Sequence, residues 1–464
     1  MRILYTIGIW FYGLGIRIAA LFNEKARLWV RGRKGILAEL ERAFPGKTHP
    51  VWVHCASLGE YEQAKPLIEK IKQEQPEAKI LTTFFSPSGY VQAVKKPLAD
   101  YNFYLPLDLP RNARKFINIV QPKTAVFVKY EFWFHYMHQL HQKAIPFYYI
   151  SAIFRENQHF FKPYGRWFAK QLRQATHFFV QTEKSKELLG NIGIKEVTVC
   201  GDTRFDRVKA IAAQVQPFDF MESFRNGKKI IVAGSTWGPD EQLLAQLLQV
   251  FPEYKLVVAP HEISRTPEVK QTFSAYKTAL YSSKEESNLA DAQVFIIDTI
   301  GILNRLYQYS TVSYIGGAFK TGLHNILEAA VYGKPIFFGP HYDHFNEAIQ
   351  LVALKGAFSV NSADEMKETM TKFENNPEYY TQTCDICQQF VVQNTGAVEI
   401  IYKTIDLKPE TIDNFKQKNI KNEQNIKNRS DYCWHCHRIG GHVCETLQQD
   451  GPEGRGVFQG LGQC

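Results

Sequence analysis

The sequence predicts an α/β protein built from two Rossmann-like domains whose parallel sheets face a central cleft. Three observations predict this class. Short apolar segments of strand length alternate with helical segments along most of the chain, as is typical of β-α-β units. A length of 464 residues suits two or three domains with sizeable cores. With 45% hydrophobic and 14% aromatic residues, the composition is that of a globular protein.

The apolar segments fall into two series. In chain order the first contains VWVHCAS, KILTTFF, FYLPLD, TAVFVKY, PFYYISAIF, HFFVQT and VTVCGD. The second contains KKIIVAGST, YKLVVAPH, AQVFIID, VSYIGG and PIFFGPH. A join near residues 205–225 separates the two series. Residues 36–210 and residues 225–405 are therefore predicted to form the two Rossmann-like domains.

The first 35 residues have a different character. ILYTIGIWFYGLGIRIAALF, residues 3–22, is about as long as the 20 residues that span a bilayer, although Arg17 interrupts it. The basic run KARLWVRGRKG follows, and no small-residue cleavage site of a secretory signal comes after it. Residues 1–35 hold seven basic residues and one acidic residue, which is +6 of the formal +9 charge. Positive charge beside an apolar helix marks the cytoplasmic side and attracts anionic lipid.

We therefore expect residues 1–35 to be a membrane anchor, with a helix that is inserted or lies in the interface and with the rest of the chain cytoplasmic. The alternative is an N-terminal helix of the core. At the other end, residues 406–464 combine a polar linker with a Gly-, Cys- and His-rich tail. Two C-x-x-C pairs, at 384–387 and 433–436, are about 45 residues apart, farther than in a zinc ribbon. The tail is predicted to be disordered, with a small zinc knuckle as the alternative.

The chain lacks the sequence motifs that bind several classes of cofactor. The chain has no GxGxxG, no Walker GxxxxGK[ST] and no DxD-like pair after a strand. We expect no cofactor and no metal in the main site, and no nucleic-acid partner. Polar clusters instead follow the predicted strands, where ligands of open α/β sheets bind. They are HCASLGE, FFSPSG, KYEFW, AGSTWG, APHE, IGGAFKTGLHN and GPHYDHFNE.

The segment GLHNILEAAVYGKPIFFGPH, residues 322–341, has two interpretations. Asn325 is a good helix N-cap and Glu328 lies three residues on, the spacing of a capping box. Alternatively, the helix N-terminus faces a ligand, because a strand and a Gly-rich loop precede it and together form an anion site. The two interpretations are compatible with each other.

The second half of the chain resembles the nucleotide-sugar half of GT-B glycosyltransferases. That resemblance implies a GT-B fold in which Glu328 bonds the ribose hydroxyls and the N–H groups around Asn325 meet a phosphate. The first half is more specific, because VWVHCASLGEYEQAKPLI resembles the H-x-A-S-x-G-E segment of the 3-deoxy-D-manno-octulosonic acid (Kdo) transferases of lipopolysaccharide synthesis. Further matches, in order to about residue 405, are TTFFSPSGY, KYEFW, ISAIFR, GDTRFD, AGSTWGPDE and GGAFKTGLHNILEAAVYGKPIFFGPHYDHFNEA.

The resemblance implies a reaction and a location. The donor is CMP-Kdo, the acceptor is a tetra-acylated lipid A precursor, and the configuration inverts, at the cytoplasmic face of the inner membrane. Such a displacement needs a base on the acceptor hydroxyl and stabilisation of the departing phosphate. Glu60 matches the family's catalytic base and follows a strand and a turn at the start of a helix. The simpler alternative is that Glu60 only complements the helix dipole.

The remaining acceptor-side residues have two interpretations each. Glu131 in KYEFW matches a second family carboxylate, whereas a salt bridge with Lys129 or Arg155 is the structural alternative. The other predicted contacts are serines that bind sugar hydroxyls or cap helices, with a glycine in the same turn: Ser57, Gly59 and Ser86.

On the donor side the resemblance implies phosphate contacts from Ser235 and Thr236, with close backbone approach at Gly316 and Gly317. His261, Asn325 and Glu328 complete the predicted site, and His324 either donates to the phosphate or is a satisfied structural histidine. The chain departs from the family at two places. APHEISR lacks the arginine of Pro-Arg-His-Pro-Glu-Arg, for which Arg265 is the candidate replacement. GLHN stands for the usual GGHN, which restricts the backbone at Leu323 to ordinary dihedral angles.

Three other functions fit parts of the pattern. A GT-B transferase with a UDP-sugar donor shares the fold and the ribose glutamate, but is not expected to carry HxASxGE. A UDP-sugar 2-epimerase shares the architecture, but has no need of residues 1–35. A membrane-tethered nucleotide-binding module is disfavoured because both walls of the cleft carry polar strand ends.

Overall fold

The computed structural model describes residues 1–46, 48–285, 287–320, 322–405 and residue 407. Residues 1–407 form one compact unit, which contains two seven-stranded sheets. The second C-x-x-C pair and the rest of the predicted disordered tail lie outside the described residues.

The first sheet has the order β3-β2-β1-β4-β5-β6-β7, and all its neighbours are parallel. Its strands are β1 (Val51–Cys55), β2 (Ile80–Phe84), β3 (Tyr101–Tyr104), β4 (Thr124–Val128), β5 (Phe147–Ala152), β6 (His177–Val180) and β7 (Val197–Val199). The order reverses between β1 and β4, and ligands of doubly wound sheets bind at such a reversal.

The second sheet has the order β10-β11-β9-β8-β12-β13-β14, and it too is entirely parallel. Its strands are β8 (Lys229–Thr236), β9 (Tyr254–Pro260), β10 (Thr278–Leu280), β11 (Val294–Ile296), β12 (Val312–Ile315), β13 (Ile336–Phe338) and β14 (Ala357–Ser359). Here the order reverses between β8 and β12.

Helices cover both faces of each sheet. Those of the first half are α1 (Arg2–Ala19), α2 (Glu24–Arg31), α3 (Ile36–Ala43), α4 (Leu58–Glu74), α5 (Pro87–Lys95), α6 (Pro110–Val120), α7 (Phe134–Gln142), α8 (Arg166–Leu172), α9 (Glu183–Asn191) and α10 (Thr203–Ala213). Those that follow are α11 (Asp219–Arg225), α12 (Gly238–Val250), α13 (Thr266–Thr272), α14 (Leu303–Leu306), α15 (Leu327–Ala330), α16 (Asn346–Ala353), α17 (Ala363–Asn375), α18 (Pro377–Gln393) and α19 (Ala397–Thr404).

The predicted class, two parallel-sheet α/β domains, is confirmed. Every strand predicted for the first half is present, and β1, β2, β4 and β5 are buried along their whole length. Continuous apolar runs are what a sheet buried on both faces requires. Two strands of the second sheet, β10 and β14, were not predicted. Each is a three-residue strand at a sheet edge, too short to give a periodic signal.

Two helices connect the halves. α10 packs on α4 of the first half and on α15 and α18 of the second. α19 returns from the second half to pack on α4. Ala397 and Ile401 of α19 are fully buried in the same cluster as Leu67 and Ile71 of α4. The two sheets are therefore joined by packed helices as well as by the chain segment between them.

The N-terminal helix α1 packs against the first half along one side. The Tyr5 hydroxyl donates to the Asp108 carboxylate at 2.6 Å, and the Thr6 hydroxyl lies 3.0 Å from His135 Nε2. A Cβ added at Gly13 would lie 2.6 Å from Leu107. The opposite side of α1 is apolar and exposed, through Ile3, Leu4, Ile7, Trp10, Phe11, Leu14 and Ile18. Among the described residues, the structure contains no helix with the length and hydropathy needed to cross a membrane.

Candidate active site

Glu60 lies in the first turn of α4, directly after the carboxyl end of β1. Ser57 is the N-cap residue of this helix, but its side chain does not cap it. Instead, the Ser57 hydroxyl donates a hydrogen bond to Glu60 Oε2. A Cβ at the exposed Gly59 would meet only the Ser57 hydroxyl, at 3.7 Å, so this glycine is not required by packing. Ser57 thus orients the predicted base.

Glu131 follows β4, the neighbour of β1. Its carboxylate accepts from the indole N–H of Trp133 at 2.8 Å and lies 3.2 Å from Nε2 of the buried His54. On the other side of the imidazole, Nδ1 lies 2.9 Å from the Thr83 hydroxyl, which accepts from the Trp52 indole at 2.8 Å. Nδ1 also lies 3.1 Å from the Thr83 carbonyl oxygen, and the Trp133 indole N–H lies 3.0 Å from Nε2. The single N–H of a neutral imidazole therefore donates either to the Thr83 carbonyl or to Glu131.

The partners of Glu131 are therefore His54 and Trp133. The predicted alternative, a salt bridge with Lys129 or Arg155, is wrong. Lys129 has φ = +58°, a left-handed conformation that costs a non-glycine residue free energy and is concentrated at functional sites. This turn carries Glu131 over the end of the sheet.

Both carboxylates lie near one buried thiol at the end of β1. The pKa of Cys55 is raised well above its ordinary value, first by burial and then by the negative charges of Glu60 and Glu131. The two acids that the sequence places about 70 residues apart thus converge on the point where the strand order reverses. Ser86 has the simpler of its two predicted roles, because it caps α5 by accepting from Ser88 N.

In the second half, Ser235 is the penultimate residue of strand β8. It has φ = +55°, and the pairing of β8 with β9 is irregular at this point. Thr236 is fully buried, and its hydroxyl donates to Glu241 at 3.0 Å. Glu241 also forms a bidentate ion pair with Arg265, with both N–O distances at 2.8 Å. Thr236 and the predicted replacement Arg265 are therefore held by Glu241.

The glycines after β12 are required by close backbone packing. A Cβ at Gly316 would lie 2.4 Å from Ser235 O, and a Cβ at Gly317 would lie 2.5 Å from Gly322 O. Gly317 also has φ = +97°, a conformation that favours glycine. Its N–H already donates to Asp240 at 3.1 Å, and Gly316 N–H donates to Gly234 O at 2.9 Å. These glycines shape the loop and do not present free N–H groups to a ligand.

Three rings stack above this loop. His261, at the end of β9, is exposed and stacks on His324, with 4.4 Å between ring centroids and 19° between planes. Trp237 lies 5.1 Å from His261 on centroids. Burial, followed by the proximity of His261, lowers the pKa of His324 to about 4. In the described part of the chain, His324 Nε2 is a buried nitrogen without a hydrogen-bond partner. The hydrogen-bonding capacity of this nitrogen is therefore unfilled.

The segment after the glycine loop differs from the predicted capping box. The helix α15 begins at Leu327 with Ile326 as its N-cap residue, and it has only four residues. Asn325 still accepts from Leu327 N at 3.2 Å, and its amide donates to Glu328 at 3.1 Å. Desolvation of the half-buried Glu328 carboxylate raises its pKa to about 7.

Glu328 lines a cavity of about 80 Å³ between the two halves. The first half contributes Glu62, two residues after Glu60, and α10 contributes Arg204 and Arg207. Asn304 contributes a side-chain oxygen that is buried without a partner among the described residues. This cavity therefore joins Glu328 to α4, the helix whose first turn holds Glu60.

Sequence reasoning overlooked several residues that build the site. His54 and Trp133 position Glu131, and Asp240 and Glu241 position the loops of the second half. All four lie inside the segments HCASLGE, KYEFW and AGSTWGPDE, so their membership of these motif segments was a usable signal. Across the described ranges, the His, Cys, Asp and Glu side chains form no group of three or more that is arranged to hold a metal ion.

Comparisons with known proteins identify relatives of this chain. The family model for 3-deoxy-D-manno-octulosonic-acid transferase (Kdo transferase) matches residues 30–207. A 3-deoxy-D-manno-octulosonic acid transferase of Haemophilus influenzae is 26% identical over 363 residues, which cover 75% of this chain and 84% of that protein.

Two solved structures share the fold. UDP-GlcNAc 2-epimerase from Neisseria meningitidis, bound to UDP-GlcNAc, superposes with a TM-score of 0.55 at 16% identity, covering 76% of this chain and 99% of that chain. A glycosyltransferase from Rickettsia africae gives a TM-score of 0.52 at 12% identity, covering 78% and 99%. The architecture is therefore that of the GT-B glycosyltransferases and the epimerases that share their fold. Within that class, the chain is a glycosyltransferase related to the Kdo transferases, and the resemblance predicted from the motifs is confirmed.

Proposed function

We propose that this protein transfers Kdo from CMP-Kdo to a tetra-acylated lipid A precursor, with inversion at the anomeric carbon and with Glu60 as the general base. The observation that carries the proposal is the convergence of Glu60 and Glu131 at the strand reversal of the first sheet. The cavity that Glu62 and Glu328 share supports a donor site on the opposite wall.

The reaction is a single displacement. The acceptor hydroxyl oxygen bonds to the anomeric carbon of Kdo as the bond from that carbon to the phosphate oxygen breaks. The hydroxyl proton passes to Glu60, and CMP leaves with the bonding electron pair. The Ser57 hydroxyl donates a hydrogen bond to Oε2 of Glu60. Oε1 is therefore the oxygen that accepts the proton of the substrate hydroxyl. Glu131, fixed by an indole and an imidazole, orients the acceptor sugar.

The donor site is assigned to the opposite wall. Glu328, fixed by the Asn325 amide, accepts from the ribose hydroxyls. The stacked His261 and His324 donate to the phosphate in place of the arginine that the family carries, because Arg265 is committed to Glu241. Positioned donors of this kind stabilise charge as it develops on a leaving group.

The N-terminal segment supports a location at the cytoplasmic face of an anionic inner membrane. The exposed apolar side of α1 adjoins exposed basic residues, namely Arg17, Lys25, Arg27, Arg31 and Lys34. Arg33 does not belong to this set. It is largely buried, which lowers its pKa to about 9, and it donates to four backbone carbonyls. An interfacial helix flanked by basic residues fits binding to an anionic lipid surface.

Two measurements test the proposal. Purified protein is incubated with CMP-Kdo and the lipid A precursor, and products are counted by mass spectrometry. Addition of Kdo to the acceptor is the expected result. Thermal shifts with CMP, UDP and UMP are then compared, since the true product nucleotide stabilises the folded state most. The largest shift is expected with CMP. A larger shift with UDP and no Kdo transfer would favour a UDP-sugar transferase or an epimerase.

A further inference from the structure

Three aromatic rings connect the catalytic carboxylates to helix α1. The Trp133 indole donates to Glu131, and the ring of Phe85 stacks on Trp133 with 5.0 Å between centroids and 25° between planes. Tyr12 of α1 stacks on Phe85 at 6.0 Å and 28°. We name Tyr12, Phe85 and Trp133 the aromatic ladder. It runs from the start of α7, over the end of β2, to the N-terminal helix.

Arg33 fixes the backbone at the middle ring of the ladder. Its guanidinium donates to Phe85 O at 2.7 Å and to Phe84 O at 3.3 Å, and it lies 3.8 Å above the Trp29 ring. Trp29 in turn meets Phe85 edge-on at 5.6 Å. A guanidinium buried among rings and carbonyl oxygens fixes the backbone at the middle of the ladder. The stacking is therefore built into the fold.

The ladder opens to solvent at its outer end. Tyr12 is 47% exposed. The glycines one turn before and after it, Gly8 and Gly15, leave open space, since a Cβ at either would meet nothing within 4 Å. Tyr12 still lies close enough to Glu131 for that charge to raise its pKa, after the larger effect of burial and against the effect of Arg33. The exposed apolar side of α1, including Leu4 and Phe11, begins beyond these glycines.

We infer that the aromatic ladder is the acceptor-side wall of the cleft and that it binds the acylated part of a lipid acceptor whose sugar lies at Glu131. The protein features follow the order of the parts of such an acceptor. The carboxylates lie where the sugar binds, the aromatic ladder follows, and the exposed apolar side of α1 lies at the far end, where the acyl chains extend. Aromatic rings supply large apolar contact areas, with a polar tip at the tyrosine. Helix α1 is then a part of the acceptor site, and Tyr12 determines specificity for acylated acceptors.

This inference rests on the proposed function, and its test separates the two. Parent and Tyr12→Ala proteins are assayed in detergent with the same phosphorylated disaccharide carrying long or short acyl chains. If the parent transfers Kdo to neither acceptor, the proposed function fails. If the parent is active, Tyr12→Ala should lower kcat/KM for the long-chain acceptor about tenfold, with a smaller effect on the short-chain acceptor. CMP affinity should not change.

Tyr164→Ala is the matched control, because Tyr164 is 70% exposed in the three-residue 3-10 helix Pro163–Gly165. Phe85→Leu is a second test, since it removes the central ring and keeps an apolar side chain. It should show the same preference for short chains. Equal losses on both acceptors, or no loss on either, would overturn the inference, because a wall for acyl chains must discriminate by chain length.

Discussion

At the residue scale, the cleft holds carboxylates in very different surroundings. Glu131 receives an indole donor and faces an imidazole, whereas Glu328 is half-buried with the Asn325 amide as its donor. Desolvation disfavours a charged carboxylate unless donors compensate for it. This explains why the pKa of Glu328 rises to about 7.

Glu60→Gln should abolish most of the transfer while leaving CMP binding intact. The amide keeps the shape of the side chain and can still meet Ser57, but it cannot take the hydroxyl proton. General-base catalysis contributes about 10²–10⁴-fold, so kcat should fall by about that factor in a mass-spectrometric rate assay. Glu69→Gln on the outer side of the same helix is the control. Activity of Glu60→Gln within about threefold of the parent would remove Glu60 from this role.

Glu328→Gln should make stability less dependent on pH and weaken CMP binding. The pKa of about 7 in the folded state exceeds the ordinary 4.5, so the folded state holds this proton more tightly than the unfolded state. That stabilisation is complete below pH 4.5 and is lost as the pH rises through 7. The Tm of the variant, relative to the parent, should therefore rise between about pH 5 and pH 8. A Tm difference that stays constant over this range would contradict the assignment.

At the element scale, helix α1 has two functional sides. One packs on the first half through Tyr5 and Asp108, whose carboxylate also accepts from the first N–H groups of α7. The other side is apolar and exposed. Deletion of residues 1–35 would also remove the packing of Trp29 and the bonds of Arg33. Substitutions on the exposed side therefore test membrane binding more cleanly than truncation does.

The double variant Ile7→Glu with Phe11→Glu should lose binding to anionic vesicles and keep the parent's Tm. Both side chains are exposed, at 45% and 60%, so the fold does not depend on them. Each contributes roughly 1.5–3 kcal/mol when it is buried in an apolar phase. Sedimentation with vesicles measures the loss, and Tyr164→Glu is the control. If the double variant sediments as the parent does, this side of α1 does not contact lipid.

At the scale of the whole molecule, ion pairs around α10 join the two halves. Arg204 pairs with Asp202 of the first half and with Glu347 of α16, with N–O distances of 3.0 Å to both. Asp202 also accepts from Gln63 and Gln181, at 2.8 and 3.1 Å. A largely buried arginine shared between two carboxylates fixes the relative position of the walls. The distance between base and donor depends on that position.

A double-mutant cycle on Arg204→Met and Glu347→Gln should give a coupling free energy of about 1–3 kcal/mol in denaturant unfolding. The reason is that removing one partner of a shielded pair leaves the other charge poorly solvated. The exposed pair Lys372–Glu368, four residues apart on α17, is the control, and about 0.3–0.5 kcal/mol is expected there. Equal coupling for the two pairs would show that Arg204 does not tie the halves together.

The sequence was sufficient for the architecture and for which motif segments lie at strand ends. All seven strands of the first sheet were predicted, because a parallel sheet covered on both faces requires continuous apolar runs that are visible locally. The motif segments correctly located Glu60, Glu131 and Glu328 after strands. It was not sufficient for β10 and β14, or for the start of α15, where a few residues at an edge or in a loop take their conformation from their neighbours.

The sequence by itself determined the two parallel-sheet domains, the apolar and basic N-terminal helix, and the resemblance to the Kdo transferases, since all of these depend on local pattern and residue order. Only the tertiary structure decided how individual polar groups are used. Arg33 belongs to a basic run in the sequence, yet it is buried against carbonyls. Thr236 belongs to a polar cluster at a strand end in the sequence, yet its hydroxyl donates to Glu241. The physical reason is that burial and hydrogen-bond partners come from residues distant in the chain, as with His54 and Glu131, 77 positions apart.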